Sequence, residues 1–155
     1  MNNNKKQFLQ NELPQMLKKI PVGRLPVWGK MNLQQMIEHF SDYVKIASGR
    51  TLVENLVTPD ENLQHARQFM MSTKPFRPNT PNPLMKEIPP AVRNVNINDA
   101  ITELENEIDF FISAFEKNNA LTTRNPFFGS LNYEENQQLL YKHAVHHLAQ
   151  FGVII

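Results

Sequence analysis

From Asn132 to Gly152 the chain reads NYEENQQLLYKHAVHHLAQFG, and this stretch admits few folds. Asn132 with Glu135 three residues later makes a capping box. Leu139, Leu140, Ala144, Val145, Leu148 and Phe151 recur at helical spacings, and Gly152 stands where a glycine ends a helix. The pattern predicts one helix of about five turns. At ~100° per residue, Tyr133, Leu140, Ala144, Leu148 and Phe151 form the centre of its apolar face. His143 and His147 lie along one edge, one turn apart, so their imidazoles can point at the same spot, whereas His146 is expected to project toward the polar side. Two imidazoles in this relation suit a divalent metal such as zinc, nickel, copper or iron, although a histidine flanking an apolar face is commonly just a hydrogen-bonded core residue. A third ligand elsewhere decides between the two.

The second helix supplies a candidate. Asn32 and Gln35 repeat the capping-box spacing, and Leu33, Met36, Ile37, Phe40, Val44 and Ala47 line one face until Gly49 ends it. His39 falls on the flank shared with Met36, Tyr43 and Ile46, at least half buried by helix phase. One inward histidine beside a helix carrying two is a way to build a three-histidine site between packed helices.

Two further helices are expected. Phe8, Leu9, Leu13, Met16, Leu17 and Ile20 pattern a first one from about Lys5 to Lys19, with a kink or break near Leu13 because of Pro14. Ile101, Leu104, Ile108, Phe111, Ile112 and Phe115 pattern another, opened by Asn98 and closed by Asn118 and Asn119. The link from Ile20 to Met31, around the single tryptophan Trp28, reads as an ordered connector folding back over the helices. No convincing strand is visible, and Phe127-Phe128-Gly129 is expected to plug one end of the helices or to line a pocket.

The whole chain, residues 1–155, reads as one all-α domain with a long crossover over about residues 50–97. Within it Asp60 is expected to cap a short helix through Met70 that carries His65, and prolines from Pro75 to Pro90 then forbid helix. The proline-rich part is either a plain strap or a lid over a site. Arg67, Lys74, Arg77, Lys86 and Arg93 outnumber the acids there and would suit an anionic substrate.

Composition narrows the chemistry. The chain has no cysteine, which removes thiolate nucleophiles and cysteine-ligated zinc. With 16 Lys+Arg against 15 Asp+Glu the net charge is +1, so there is no electrostatic footprint for nucleic acid. No run approaches the ~18 apolar residues of a membrane span, and the first residues hold no signal-peptide core, so a soluble cytoplasmic protein is expected.

The order of helices and the placement of histidines resemble the DinB/YfiT-like superfamily of all-helical metalloenzymes. Pro26-Val27-Trp28-Gly29-Lys30-Met31, leading into Gln34-Gln35-Met36-Ile37-Glu38-His39, resembles that family's tryptophan-led approach to its second helix. Asn125-Pro126-Phe127-Phe128-Gly129-Ser130-Leu131 followed by Tyr141 through Gly152 is similar to the signature of one branch of unassigned function, with Asn136 standing where that branch tends to carry tryptophan. The resemblance implies a DinB-like four-helix bundle with a crossover between its second and third helices, a divalent metal (zinc, nickel, iron or manganese) on His39, His143 and His147, and a homodimer. It also implies a thiol-dependent transferase or isomerase, using an external low-molecular-weight thiol, while the open coordination position that three histidines leave would also suit a hydrolase acting on a small-molecule substrate. Tyr43 and Asp42, within one turn of His39, are the candidate proton handlers. The competing expectation is a non-catalytic dimeric bundle whose metal site is structural or vestigial.

Overall fold

The computed structural model describes residues 2–155, with side chains from residue 4 onward. The chain is mostly helical, with one small antiparallel hairpin. In chain order the elements are α1 (residues 2–19), α2 (Leu33–Ala47), α3 (Asp60–Met71), α4 (Ile97–Lys117), β1 (Thr123–Asn125), β2 (Gly129–Leu131) and α5 (Tyr133–Gln150). No helix among the described residues is long and apolar enough to cross a membrane.

Helix α1 runs through Pro14 without breaking. Proline has no N–H and its ring crowds the carbonyl four residues back, which ordinarily kinks a helix. Here residues Phe8–Glu12 widen into a π turn, and the Leu13 N–H reaches back to the Phe8 carbonyl. The wider turn accommodates the proline, and Phe8, Leu9, Leu13 and Leu17 stay buried on one face. Both predicted capping boxes form: the Asn32 side chain accepts from Gln35 N and the Asn132 side chain from Glu135 N, with the reciprocal bonds present. Helix α4 begins one residue earlier than the pattern of Asn98 suggests, because the Asn96 side chain takes the cap, accepting from Asp99 N at 2.9 Å. Helix α3 starts at Asp60 with Pro59 in the cap position, so Asp60 is the first helical residue and not the cap.

The main core joins α1, α2, α4 and α5. Leu9 and Leu17 from α1, Met36, Ile37, Phe40 and Val44 from α2, Ile101, Leu104, Ile108 and Phe111 from α4, and Leu140 and Leu148 from α5 form one cluster, each at most 2% exposed. Burying a side chain of this size stabilises by roughly 1.5–3 kcal/mol, so this cluster fixes how the four helices sit. The hairpin, which no alternation in the sequence announces, is too short to show a period of two. Its turn is set by Asn125, whose side-chain oxygen accepts from Phe127 N and Phe128 N. Thr123 Oγ1 donates to the Ala47 carbonyl and accepts from buried Asn136, so the hairpin ties the end of α2 to the start of α5.

The crossover is fastened at both ends. At its start, Lys142 on α5 donates to the carbonyls of Phe69, Met70 and Ser72 at the C-terminus of α3 and lies over the Phe69 ring, while Arg67 donates to the Phe128 and Ser130 carbonyls and pairs with Glu135. A cation at a helix C-terminus meets carbonyls that have no partner within the helix. At its end, the buried carboxylate of Glu38 accepts from Arg93 N and Asn94 N, both at 2.9 Å, and from the Asn94 and Gln34 side chains. Burial alone would raise the Glu38 pKa, but these donors outweigh it and hold it below the usual carboxylate range. Between the fastenings, residues 73–92 arch over the space beside α2 and α5.

Glu38→Gln turns one acceptor oxygen into an NH2 group facing backbone N–H donors. It is expected to cost about 1–3 kcal/mol in urea unfolding. Glu38→Gln as stable as the parent protein would show that the crossover is held elsewhere.

Candidate metal centre

Packing of α2 against α5 brings His39 to the pair on α5. The ring centroids lie 5.5 Å apart for His39 and His143, 5.0 Å for His39 and His147, and 4.5 Å for His143 and His147. One nitrogen from each ring lies within 4.8 Å of the other two. Among the described residues this is the group of histidine and acidic side chains close enough to hold a metal ion. Phe40 packs edge-on against His143 from the core side and Tyr43 from the other, with centroids at 5.3 and 4.8 Å.

The hydrogen bonds around His147 fix where its lone pair points. Gln150 Nε2 donates to the Trp28 carbonyl at 3.0 Å, so its Oε1 faces the ring and accepts from His147 Nδ1 at 2.9 Å. The proton of a neutral His147 therefore sits on Nδ1, and Nε2 turns a lone pair toward His143 Nε2, 2.7 Å away. Burial holds His143 and His147 well below the ordinary histidine pKa, the neighbouring imidazoles adding to the effect, and brings His39 down to about 4 despite the opposing pull of Asp42. At neutral pH the three rings are neutral. Two nitrogens at 2.7 Å cannot both present lone pairs to each other: either a neutral His143 carries its proton on Nε2 and donates to His147, or a cation lies between them.

The donor set fits a divalent ion. Neutral imidazole nitrogens are borderline ligands for zinc, nickel and iron, and a ligand whose other nitrogen donates to an amide or carboxylate oxygen is the usual arrangement for metal-bound histidine. Tetrahedral nitrogens at a zinc–nitrogen length of about 2.0–2.1 Å are separated by about 3.3 Å, so the two α5 rings would have to part by roughly half an ångström to hold zinc.

The link between α1 and α2 makes the lock possible. Val27 N donates to the Gln150 carbonyl at 2.7 Å, and Gly29, at φ +80°, passes so close that a Cβ there would lie 2.6 Å from Gln150 Nε2. A left-handed backbone angle and a side-chain clash both require glycine at this point. The connector around Trp28 thus folds back over α5 as expected.

No protein-family model matches this chain, and none of the curated proteins or solved structures compared with it does either. The three histidines border a cavity of about 890 Å³, walled by α2 and α5 on one side and by the crossover on the other. Tyr43 lines it, its hydroxyl accepting from Asn82 on the crossover at 3.4 Å, and burial raises its pKa so that the phenol stays protonated. Asp42 does not reach the cavity: it faces outward in an ion pair with Arg93 at 2.9 Å and near Lys45.

His146 stands differently from its expected place. It lies outside the three-histidine group, as helix phase requires, but not on an open polar face: Trp28 and Phe76 cover that side, with ring centroids at 5.6 and 6.1 Å, and His146 lines the cavity. His65 is exposed on α3. Phe127 and Phe128 line the cavity, one of the two roles expected for them. Asn136 is fully engaged by Thr123 and the Leu131 and Asn132 carbonyls, far from any role in the cavity. Gln150 is the residue that the sequence left without a task, since its role depends on the return of the Trp28 link.

In zinc titrations followed by calorimetry, His143→Ala and His147→Ala are each expected to abolish tight binding, and His146→Ala to retain it within a few fold. Equal losses from all three would contradict the assignment of lone pairs to His143 and His147.

Proposed function

We propose that this protein is a DinB-like four-helix bundle, with α1, α2, α4 and α5 as its bundle helices, and a metal-dependent enzyme acting on a small molecule bound beside His39, His143 and His147. The observation that carries the reading is the convergence of three neutral imidazoles, one oriented by Gln150, at the wall of a ligand-sized cavity. A divalent ion on these histidines supplies Lewis acidity to an oxygen or sulfur of the bound molecule.

The chain's own residues divide the remaining work. Gln150 and the Trp28 carbonyl hold His147 in one tautomer. Tyr43, protonated and facing the cavity, can donate its phenol proton to a developing anion on the substrate. The crossover forms the wall of the cavity that faces the histidines' helices. With no cysteine in the chain, a thiol-dependent transfer takes its nucleophile from an external low-molecular-weight thiol that enters the same space.

A structural metal normally has four protein ligands, and only three histidines gather here among the described residues, on a cavity wall. This favours an open, reactive site over a closed structural one. The same family reading makes the protein a homodimer.

The test is turnover by metal-loaded protein of an electrophile such as chlorodinitrobenzene, with and without added thiol, alongside a panel of nitrophenyl esters. Turnover in one class, lost on chelation and in His143→Ala, is the expected result. A fully loaded protein that turns over neither class would contradict the enzymatic reading and favour a non-catalytic bundle.

A further inference from the structure

The charges around the cavity are not evenly distributed. Of the cations on the crossover, Arg67 is taken up by the Phe128 and Ser130 carbonyls and Glu135, and Arg93 by Glu103, Asp42 and the Glu38 carbonyl. Arg50 pairs with Glu107, and Lys74 is exposed away from the cavity lining, so Arg77 and Lys86 remain. Both line the cavity, and among the described residues neither side chain has an acidic partner. Among the described residues the one carboxylate lining the cavity, Glu87, lies 3.7 Å from Lys30, which also lines it. The rest of the wall is largely aromatic and aliphatic, with Trp28, Phe76, Phe127, Phe128 and Leu139 around the histidines.

Two features of a ligand follow. Its volume and apolar lining place the cavity in the range of sites for molecules with one or two rings. Its unpaired charges are cationic and sit on the crossover wall, across from the helices that carry the histidines. Both residues are exposed at the cavity, where an anionic end group would be attracted to them, a neutral ligand would gain nothing from their charge and a cationic one would be repelled.

We propose that this cavity binds an amphipathic organic anion, its ring-bearing body against Trp28, Phe76, Phe127 and Phe128 and its anionic end group held by Arg77 and Lys86. The proposal rests on the reading of the cavity as a small-molecule site and names the class of molecule it takes. It involves no metal, so the ligand class and the metal site can fail separately.

The test uses two fluorescent probes that share one body, the anion anilinonaphthalenesulfonate and its neutral parent phenylnaphthylamine, titrated into chelator-treated full-length protein. Trp28, the single tryptophan, reports occupancy by quenching. Both probes should bind saturably at about one per chain, the anion about fivefold tighter at low salt, with the difference shrinking as salt is added. Arg77→Ala with Lys86→Ala should bring the two affinities within about twofold and leave the neutral probe unchanged, while Arg77→Lys with Lys86→Arg keeps the preference. Equal affinities in the parent protein, a preference that survives the alanine pair or is lost in the charge-keeping pair, or no saturable binding of either probe would each overturn the proposal. Failure of the parent protein to bind any divalent metal, with the probe preference intact, would count against the metal site alone.

Discussion

Two neutral imidazole nitrogens held 2.7 Å apart cannot both present lone pairs without a positive centre between them. In this protein that constraint sits at the end of a chain of hydrogen bonds. The link around Trp28 folds back on α5, its carbonyl orients the Gln150 amide, and Gln150 fixes the proton of His147 on Nδ1. What is left is a buried nitrogen with one lone pair, a partner at contact distance and His39 arriving from α2. The arrangement is met in two ways, by a neutral His143 that carries its proton on Nε2 and donates to His147, or by a cation held between the rings, and burial keeps all three rings neutral and so able to act as ligands.

The rest of the fold reads as support for that corner. The core of α1, α2, α4 and α5 fixes the relation of His39 to the α5 pair, and the hairpin binds the C-terminus of α2 to the N-terminus of α5 through Thr123 and Asn136. The crossover adds no ligand. It is pinned by Lys142 at one end and by Glu38 at the other, so its proline-rich middle is held at a distance and a cavity remains beneath it. Prolines suit this role, since a segment with few N–H donors and restricted backbone can cross open space without seeking partners in a sheet or helix.

Local signals in the sequence were the reliable ones. The capping boxes at Asn32 and Asn132 and the glycines after α2 and α5 are short-range chemistry, and they appear where the residue pattern puts them. The phase of α5 separates His143 and His147 from His146, and that too is local geometry. Signals that depend on distant partners were less legible. His146 reads as polar-facing until Trp28 and Phe76 are packed on it. Asp42 reads as a neighbour of His39 until Arg93, 51 residues away, draws it outward. Nothing local marks Glu38 as buried, and it is the returning crossover that covers it. Pro14 reads as a break, and the π turn that absorbs it leaves no trace in the apolar spacing.

The central claim is that His39, His143 and His147 form one divalent-metal site, and its most direct measurement is the metal content of untagged protein purified without a nickel column, beside His39→Ala prepared the same way. About one zinc, iron, manganese or nickel per chain, lost in the variant, is the predicted result. Metal-free protein that also fails to take up added divalent ions would contradict it and leave the three histidines as a buried, proton-sharing core.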